Sequence, residues 1–325
     1  MVEIPPAHVI SPTQLILLQS ILPTVDLWLL RTFPGHNTKR VLLGYHSVIP
    51  LLLTTNHPAL DLFMVPTPIF VCAQNLILPT PLPPIKDIIW ISASTLLEPN
   101  PPPDTTKVRQ RAVIKIARGL LKHGIRTSAL VPWLTPEPTL VKMPWYSPVS
   151  MANALGYGAA LYCLVGSVVD IGTGFIQLIT NRDFIELMDN PFLAHSPRNF
   201  WSQRWNRIAS GMFHRSVFSP TTTSNDGLQK RAAWDKSVSA MTAFTVSGLA
   251  HELLVLSLFR QSNGENLCFF CLQGLATVAE VQNFGSKYAP KGVHRVLSTT
   301  TTFVWLGLTG RLFFLPYWKR NFFSL

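Results

Sequence analysis

The sequence is short of charge. Asp, Glu, Lys and Arg make up 13% of its 325 residues, about half of the share of about 25% found in soluble globular domains. Hydrophobic residues reach 47% and the mean hydropathy is +0.26. A soluble chain of this size needs more charge to cover its surface, and a disordered chain would not carry 9 Trp and 19 Phe. The composition therefore predicts a membrane protein.

Acidic residues are the scarcest of the charged ones. There are 16 of them against 27 Lys and Arg, which gives a net charge of +11. In a soluble protein this balance would indicate nucleic-acid binding. Here the basic residues lie between apolar segments, where the positive-inside rule and anionic headgroups account for them. We therefore expect the lipid bilayer as a partner and no nucleic acid, with a basic cytosolic face that suits an anionic cosubstrate.

Cysteine is also rare, and the motifs of several enzyme classes are missing. The four cysteines lie in apolar stretches, so neither a disulfide framework nor a metal site is expected. The sequence contains no Walker loop, no G-x-S-x-G elbow and no H-E-x-x-H. His57 and Asp61 form the H-x-x-x-D pattern of soluble acyltransferases, but the second signature of those enzymes is absent. We interpret this pair as a chance match in a loop.

Long apolar segments fill much of the remaining sequence. A bilayer crossing needs about 20 mostly apolar residues, and the best candidates are 238–259, 148–180, 13–30, 62–82 and 296–316. Shorter runs at 41–54, 88–97 and 266–279 are ambiguous between spans and partly submerged helices. The pattern predicts an all-α, polytopic transmembrane helical bundle with roughly seven spans. We treat 1–325 as one integral-membrane domain.

Two polar connections interrupt the apolar segments, at 99–148 and 181–236. Their excess of Lys and Arg predicts that both face the cytosol. In the first connection, residues 107–122 have the pattern of a basic amphipathic helix with Val113, Ile116 and Leu120 on one face.

The second connection contains an unusual aromatic run. From Asn199 to Arg207 it reads NFWSQRWNR. On a helix, Trp201 and Trp205 would share a face while Asn206 would lie about 100° away. An interfacial helix with an aromatic belt explains most of this run. It does not explain Asn206, whose amide gains little from headgroups but can orient a carbonyl or hydroxyl group.

An imidazole and a carboxyl group interrupt the best apolar segment, at His251 and Glu252. Such groups in mid-span are costly, so they indicate a functional site. His251 lies about 20 Å from the start of the segment at 1.5 Å per residue, and burial favours the neutral imidazole that a general base needs. Ser247 and Gly248 leave room beside it for a channel or a closely packed helix. The alternative is a structural histidine between helices.

The two features together, about 45 residues apart, resemble the membrane-bound O-acyltransferase superfamily. More closely, the run SPRNFWSQRWN ending at Asn206 and the run SGLAHE ending at Glu252 are similar to the wax synthase-like branch. Chains of this size with a Pro-rich, basic middle loop also resemble fungal acetyltransferases that modify terpenoids or meroterpenoids. One departure is the segment from Arg118 to Lys122, which reads RGLLK where that branch often has R-G-x-G-W.

The resemblance implies an O-acyltransferase of the endoplasmic reticulum that moves an acyl group, expected to be acetyl, from acyl-CoA to a hydroxyl of a hydrophobic terpenoid. His251 would be the general base and Asn206 would orient the reacting groups, with acyl-CoA as cosubstrate and no tightly bound cofactor or metal. The residues expected to contact substrate or CoA are Trp201, Arg204, Trp205, Ser247 and Glu252, although Glu252 could instead pair with a neighbouring helix. A long-chain wax-ester synthase is the alternative within the enzyme class. A transporter or scaffold is the non-enzymatic alternative, but no repeat symmetry supports it.

Overall fold

The computed structural model describes residues 1–58, 60–61, 83–85, 87–88, 96–102, 104–214, 233–285 and 289–324. Helices account for most of them. The α-helices are α1 Pro12–Thr32, α2 His36–Leu52, α3 Thr105–Ile125, α4 Glu137–Lys142, α5 Pro148–Thr180, α6 Pro197–Asn199, α7 Arg207–Phe213, α8 Ala233–Phe259, α9 Glu265–Phe284 and α10 Gly292–Trp318. Arg126–Leu130 and Phe200–Arg204 are π-helical, and Val131–Trp133, Pro191–Leu193 and Phe322–Ser324 are 3-10 turns.

The predicted all-α membrane fold is confirmed. Within the described ranges, four helices are long and apolar enough to cross a membrane: α1, α5, α8 and α9. The helix α10 covers the segment predicted at 296–316 but is not one of the four. The predicted segment 62–82 and most of 88–97 lie outside the described residues. The count of seven spans therefore stays a prediction.

The chain divides into two compact units. The first comprises 1–92 and 212–274, and the second comprises 93–211 and 275–325. The strands β1 Val2–Glu3, β2 His8–Val9, β3 Leu53–Thr54 and β4 Gln261–Ser262 all belong to the first unit. They form two short ladders, β1 antiparallel to β4 and β2 parallel to β3.

In the first unit, α2 and α8 end side by side. The Ser257 hydroxyl donates to the carbonyl of Pro50 at 2.8 Å, and the guanidinium of Arg260 donates to the carbonyl of Leu51 at 2.6 Å. Pro50 has no N–H and distorts the end of α2, where the strand β3 begins. The two donors thus satisfy carbonyl groups that the end of α2 leaves without an intrahelical partner.

In the second unit, α3 and α5 pack at close range. A Cβ atom at Gly174 would lie only 3.0 Å from the Ala112 carbonyl oxygen, and one at Gly119 would lie 3.0 Å from the Ser167 carbonyl oxygen. Glycine at these two positions lets the helix backbones approach one another. On another side of α5, an apolar core joins it to α4 and α10; its buried residues are Leu140, Ala154, Tyr157, Phe314 and Trp318.

A buried carboxylate holds α3 against α5. Asp170 accepts hydrogen bonds from Arg118 at 2.7 and 2.8 Å and from the Lys122 ammonium at 2.8 Å. Arg118 also contacts Glu186 at 2.5 Å. Burial alone would lower the pKa of Arg118, but the hydrogen bonds and charges of the two carboxylates raise it above its ordinary value. Asp170 thus binds cations from two successive turns of α3.

The orientation of α3 differs from that expected of an interfacial amphipathic helix. Charged residues of α3 face α5, where the Lys115 ammonium donates to Gln177 at 3.2 Å. Of the three residues predicted on the apolar face, Ile116 packs against α5 beside Gly174 and the other two face outward. Val113 and Leu120 are 57% and 60% exposed. The partners in α5, Asp170 and Gln177, draw the charged face inward. Five of the seven basic residues between 107 and 126 bind partners within this unit: Arg109, Arg111, Lys115, Arg118 and Lys122.

The pairing predicts that Asp170→Asn strongly destabilises the protein. The substitution leaves two cations without their buried counter-charge, and breaking a buried pair in this way costs about 3–5 kcal/mol. The measurement is the midpoint of thermal unfolding of the detergent-solubilised protein. Glu186→Gln is the matched control, because Glu186 is 37% exposed and its loss costs at most about 1 kcal/mol. Equal midpoints for the two variants would contradict this account.

Candidate active site

The imidazole of His251 is held in one tautomer. Its Nδ1 lies 2.7 Å from the carbonyl oxygen of Ser247, one turn earlier on α8. A carbonyl only accepts, so Nδ1 carries the proton and donates it to this bond. In the neutral ring, the lone pair that can accept a proton is then on Nε2. The geometry therefore gives His251 the form that a general base requires.

A close helix crossing lies beside His251. A Cβ atom at Gly248 would lie 2.9 Å from Cα of Leu267 on α9. The ring of Phe270, one turn further along α9, lies against the imidazole with centroids 4.5 Å apart. Of the two interpretations of the small residues at 247 and 248, the structure shows a closely packed helix at Gly248.

Glu252 binds the neighbouring helix. Its carboxylate is buried, accepts a hydrogen bond from the backbone N–H of Leu267 at 2.9 Å, and accepts another from the Ser262 hydroxyl. Leu267 lies in the first turn of α9, where backbone N–H groups lack intrahelical partners and a negative charge is favoured. Glu252 therefore caps α9 from α8.

The aromatic run does not form the continuous helix that the sequence predicted. It starts as α6 and continues as the π-helix Phe200–Arg204, whose last bond joins the Trp205 N–H to the Phe200 carbonyl at 2.8 Å. Trp205 is extended, and Asn206 has a left-handed backbone with φ +45°. The expectation that Asn206 lies 100° around a helix from Trp205 is therefore wrong, because the helix ends before both residues.

Asn206 begins the next helix. Its side-chain oxygen accepts a hydrogen bond from the Ala209 N–H at 3.1 Å, and its carbonyl accepts one from the Ser210 N–H at 3.0 Å. These are the bonds of an N-cap. A short polar residue also tolerates the left-handed conformation better than most. The structure thus gives Asn206 a structural role at the start of α7.

The other predicted residues of the run pack within the second unit. The rings of Phe200, Trp201 and Trp205 form one cluster, with centroids 4.9 to 6.4 Å apart. Arg204 donates to the Asn199 side-chain oxygen at 2.8 Å and to the carbonyls of residues 189 and 190 at 3.0 and 3.2 Å. Its guanidinium therefore holds the loop before the run.

Sequence reasoning missed a second polar pair and a buried amide in the first unit. His46 Nε2 lies 2.9 Å from the Asp26 carboxylate, and both side chains are fully buried between α1 and α2. Asn266 is fully buried in the first turn of α9. The signal for the pair was present, because a lone acid and a lone histidine in apolar segments indicate buried partners. An amide at the start of an apolar run gives no such signal.

His57 and Asp61 do not form a catalytic arrangement with each other in the described structure. The Asp61 carboxylate accepts hydrogen bonds from the Thr54 hydroxyl at 2.6 Å and from the N–H and hydroxyl of Thr55 at 2.8 and 2.7 Å. His57 is exposed. These contacts fix the turn after β3, in agreement with the interpretation of this pair as loop structure.

A cleft of about 320 Å³ opens in the second unit. Its lining includes three carboxylates and two cations: Glu98, Asp183, Glu186, Arg111 and Lys115. Burial lowers the pKa of Lys115, and this cation already donates to the Phe184 carbonyl at 2.5 Å. The excess of acid makes the cleft a poor site for the phosphates of CoA. Across the described ranges, no group of three His, Cys, Asp or Glu side chains is placed to hold a metal ion.

The cap on α9 predicts that Glu252→Gln lowers stability. The amide cannot accept from both Leu267 and Ser262 as a carboxylate does, and the negative charge at the helix N-terminus is lost. We expect a loss of about 1–2 kcal/mol, measured as a fall in the thermal midpoint. Glu265→Gln is the control, since it also removes a carboxylate from the first turn of α9 but leaves both hydrogen bonds of Glu252 in place, so a larger fall for Glu252→Gln measures those bonds. An unchanged midpoint would mean that the cap contributes nothing.

Comparison with known proteins gives a family match over the part of the chain that carries the aromatic run and His251. Residues 185–272 match the membrane bound O-acyl transferase family. A putative long-chain-alcohol O-fatty-acyltransferase of Arabidopsis thaliana is 32% identical over 38% of this chain and 37% of its own length. The long-chain-alcohol O-fatty-acyltransferase of Simmondsia chinensis is 27% identical over 50% and 48%, and an acyl-CoA–sterol O-acyltransferase of Arabidopsis thaliana is 25% identical over 50% and 47%.

The chain spans less than half of the length of these relatives. The matched family segment contains both Asn206 and His251. The resemblance drawn from the two motifs is thereby confirmed: this integral membrane protein is similar, in the segment that carries them, to the membrane-bound O-acyltransferases of the wax synthase-like kind.

Proposed function

We propose that the protein is an acyl-CoA-dependent O-acyltransferase of the endoplasmic reticulum membrane, which esterifies a hydroxyl of a hydrophobic alcohol. The observation that carries the proposal is the tautomer of His251. Its Nδ1–H is bound to the Ser247 carbonyl at 2.7 Å, so Nε2 is the proton acceptor in the middle of an apolar helix. Similarity to acyltransferases over 185–272 favours an enzyme over a transporter or scaffold.

The proposed reaction uses one base for both proton transfers. Nε2 of His251 takes the proton of the alcohol while the alcohol oxygen attacks the thioester carbonyl carbon. The tetrahedral intermediate collapses, the carbon–sulfur bond breaks, and the thiolate of CoA receives the proton from the imidazolium. The products are an ester and CoA–SH, so protons and electrons balance. A base positioned in this way contributes about 10² to 10⁴ in rate, and an apolar surrounding limits hydrolysis of the thioester.

For the substrates, the names of the relatives favour a long-chain alcohol and a fatty acyl group. Those names are long-chain-alcohol O-fatty-acyltransferase and acyl-CoA–sterol O-acyltransferase. Acetyl transfer to a terpenoid, the first expectation from the sequence, has its support in the Pro-rich basic middle loop alone. We therefore place the wax-ester reaction first and keep acetyl transfer as the second candidate.

The proposed roles of the other residues follow their contacts. The Asn206 side-chain oxygen is engaged in the cap of α7, so any contact with substrate is through its Nδ2 donor. Trp201, Trp205 and Ser247 remain proposed contacts for acyl-CoA or alcohol. Arg204 and Glu252 are proposed to act indirectly, because the guanidinium and the carboxylate hold backbone groups.

The experiment that tests the function is a product analysis. Microsomes that contain the protein are given acetyl-CoA or palmitoyl-CoA together with hexadecanol, a sterol or a hydroxylated terpenoid, and esters are identified by mass spectrometry. The proposal expects ester formation with at least one pair of substrates. The pair expected to give the most ester is palmitoyl-CoA with hexadecanol. If no pair yields ester above microsomes without the protein, the proposed function is wrong.

The proposed role of His251 as the general base predicts the activity of two variants. His251→Ala and His251→Gln should each lower ester formation by at least about 100-fold, because neither side chain accepts a proton at pH 7. Abundance in the membrane should not fall, since removal of a buried polar group does not oppose insertion. The readouts are ester formed per amount of protein. His57→Gln is the control, as His57 is exposed. An active His251→Gln protein would show that His251 supplies only a hydrogen bond.

Asn206 variants separate its structural role from its proposed chemical one. Asn206→Asp keeps a side-chain oxygen for the Ala209 N–H but loses the amide donor, so stability should hold while ester formation falls. Asn206→Ala loses the cap and the side-chain amide that eases a positive φ, so stability should fall by about 1–2 kcal/mol. Thermal midpoints and ester formation are measured together. If Asn206→Asp kept full activity, the role of Asn206 would be limited to capping α7.

A further inference from the structure

A buried amide without a partner lies on α9, the helix that packs against the proposed base. Asn266 is 0% exposed, and across the described part of the chain neither its Oδ1 nor its Nδ2 has a hydrogen-bond partner. Buried side-chain polar atoms are bonded in the large majority of cases, so each exception calls for an explanation such as an absent ligand. The Asn266 amide has one acceptor oxygen and an NH₂ group with two donor hydrogens. An oxygen atom of a bound ligand can therefore accept a hydrogen bond from it.

The contacts of α9 place Asn266 on the helix face that packs against His251. The next residue, Leu267, donates its N–H to Glu252 and packs its Cα against Gly248. One turn further on, Phe270 lies on the same helical face as Asn266 and packs on the imidazole of His251 at 4.5 Å. Two residues that follow Asn266 on α9 thus touch α8 three residues before the base, at the base and one residue after it.

We infer that Asn266 is a further catalytic residue, whose Nδ2–H donates a hydrogen bond to the thioester carbonyl oxygen as that oxygen becomes an oxyanion. This inference rests on the proposed function. As the alcohol oxygen attacks, the π electrons of the carbonyl move onto its oxygen. The amide donor stabilises the negative charge on that oxygen. When the intermediate collapses, the electron pair on oxygen re-forms the carbonyl π bond, and the electrons of the carbon–sulfur bond leave with the thiolate. A fixed donor in an apolar surrounding is worth more to such a charge than the same donor in water.

The unpartnered state of Asn266 also gives it the freedom that this role needs. No hydrogen bond to another described residue has to break when the side chain turns about its two rotatable bonds toward the partly exposed imidazole. The His46 side chain, by comparison, can turn only if it breaks its bond to Asp26 and leaves the ring of Tyr45, on which it stacks with centroids 4.4 Å apart. A buried water at Asn266, or a contact with acyl-CoA made equally before and during the reaction, would satisfy the amide without catalysis.

Kinetics of two variants test the inference. Asn266→Leu removes the donor at similar size, and Asn266→Asp keeps the shape but offers no N–H at neutral pH. The proposal expects kcat to fall about 10²- to 10³-fold in both, the loss seen for one oxyanion donor, with KM for acyl-CoA changed less than about twofold. Asn283→Leu is the matched control on the same helix, where an exposed amide donates to the Ala279 carbonyl at 2.8 Å; its kcat should be that of the wild type.

Other outcomes overturn the inference. A kcat within about threefold of wild type in either variant indicates a bound water or a structural amide. A rise in KM with kcat unchanged indicates ground-state binding. Loss of Asn266→Leu through misfolding leaves the Asp variant as the test, and the thermal midpoint of each variant identifies this case. Failure of the wild-type chain to form ester with any substrate pair rejects the proposed function itself, whereas an active wild type with unaffected variants rejects only the role of Asn266.

Discussion

Polar groups among apolar helices have to find their partners inside the protein, and the described structure depends on this constraint. Water is not available to them in a bilayer, and an unsatisfied group there costs several kcal/mol. Asp170 is satisfied by two cations of α3, and Asp26 by His46 of α2. Each of these pairs joins two helices. The few polar residues of a mostly apolar chain thus decide which helices are neighbours and in which register they pack.

The same constraint gives different partners to His251 and Glu252, which are adjacent in the middle of α8. Glu252 lies about 100° around the helix from His251 and is used by the N-terminus of α9. His251 meets a backbone carbonyl of its own helix through Nδ1. A carbonyl partner fixes the tautomer without adding a negative charge that would hold the ring protonated. The sequence pair His-Glu therefore combines a carboxylate that caps α9 with the proposed base.

Hydropathy predicted the positions of the helices well, but it predicted poorly which face of a helix is buried. The segment 148–180 matches α5 in both bounds because Ser147 caps its start and Asn181 ends it in a left-handed conformation, as local sequence rules require. The two faces of α3 are visible in sequence, but which one is buried depends on Asp170 in another helix. Similarly, nothing local marks the π-turn that ends before Trp205, so the position of Asn206 could not be predicted.

Two histidines of the first unit meet the electronic requirement for a base, and their surroundings separate them. His46 donates Nε2–H to Asp26 and is 1% exposed, with its ring stacked on Tyr45. His251 is partly exposed, and the small residues Ser247 and Gly248 lie one turn before it on α8. The burial of His46 keeps substrate away from its ring. A base in this reaction has to be neutral before the alcohol arrives and reachable when it does. His251 is reachable and His46 is not, so their surroundings favour His251 as the proposed base, whereas His46 joins two helices.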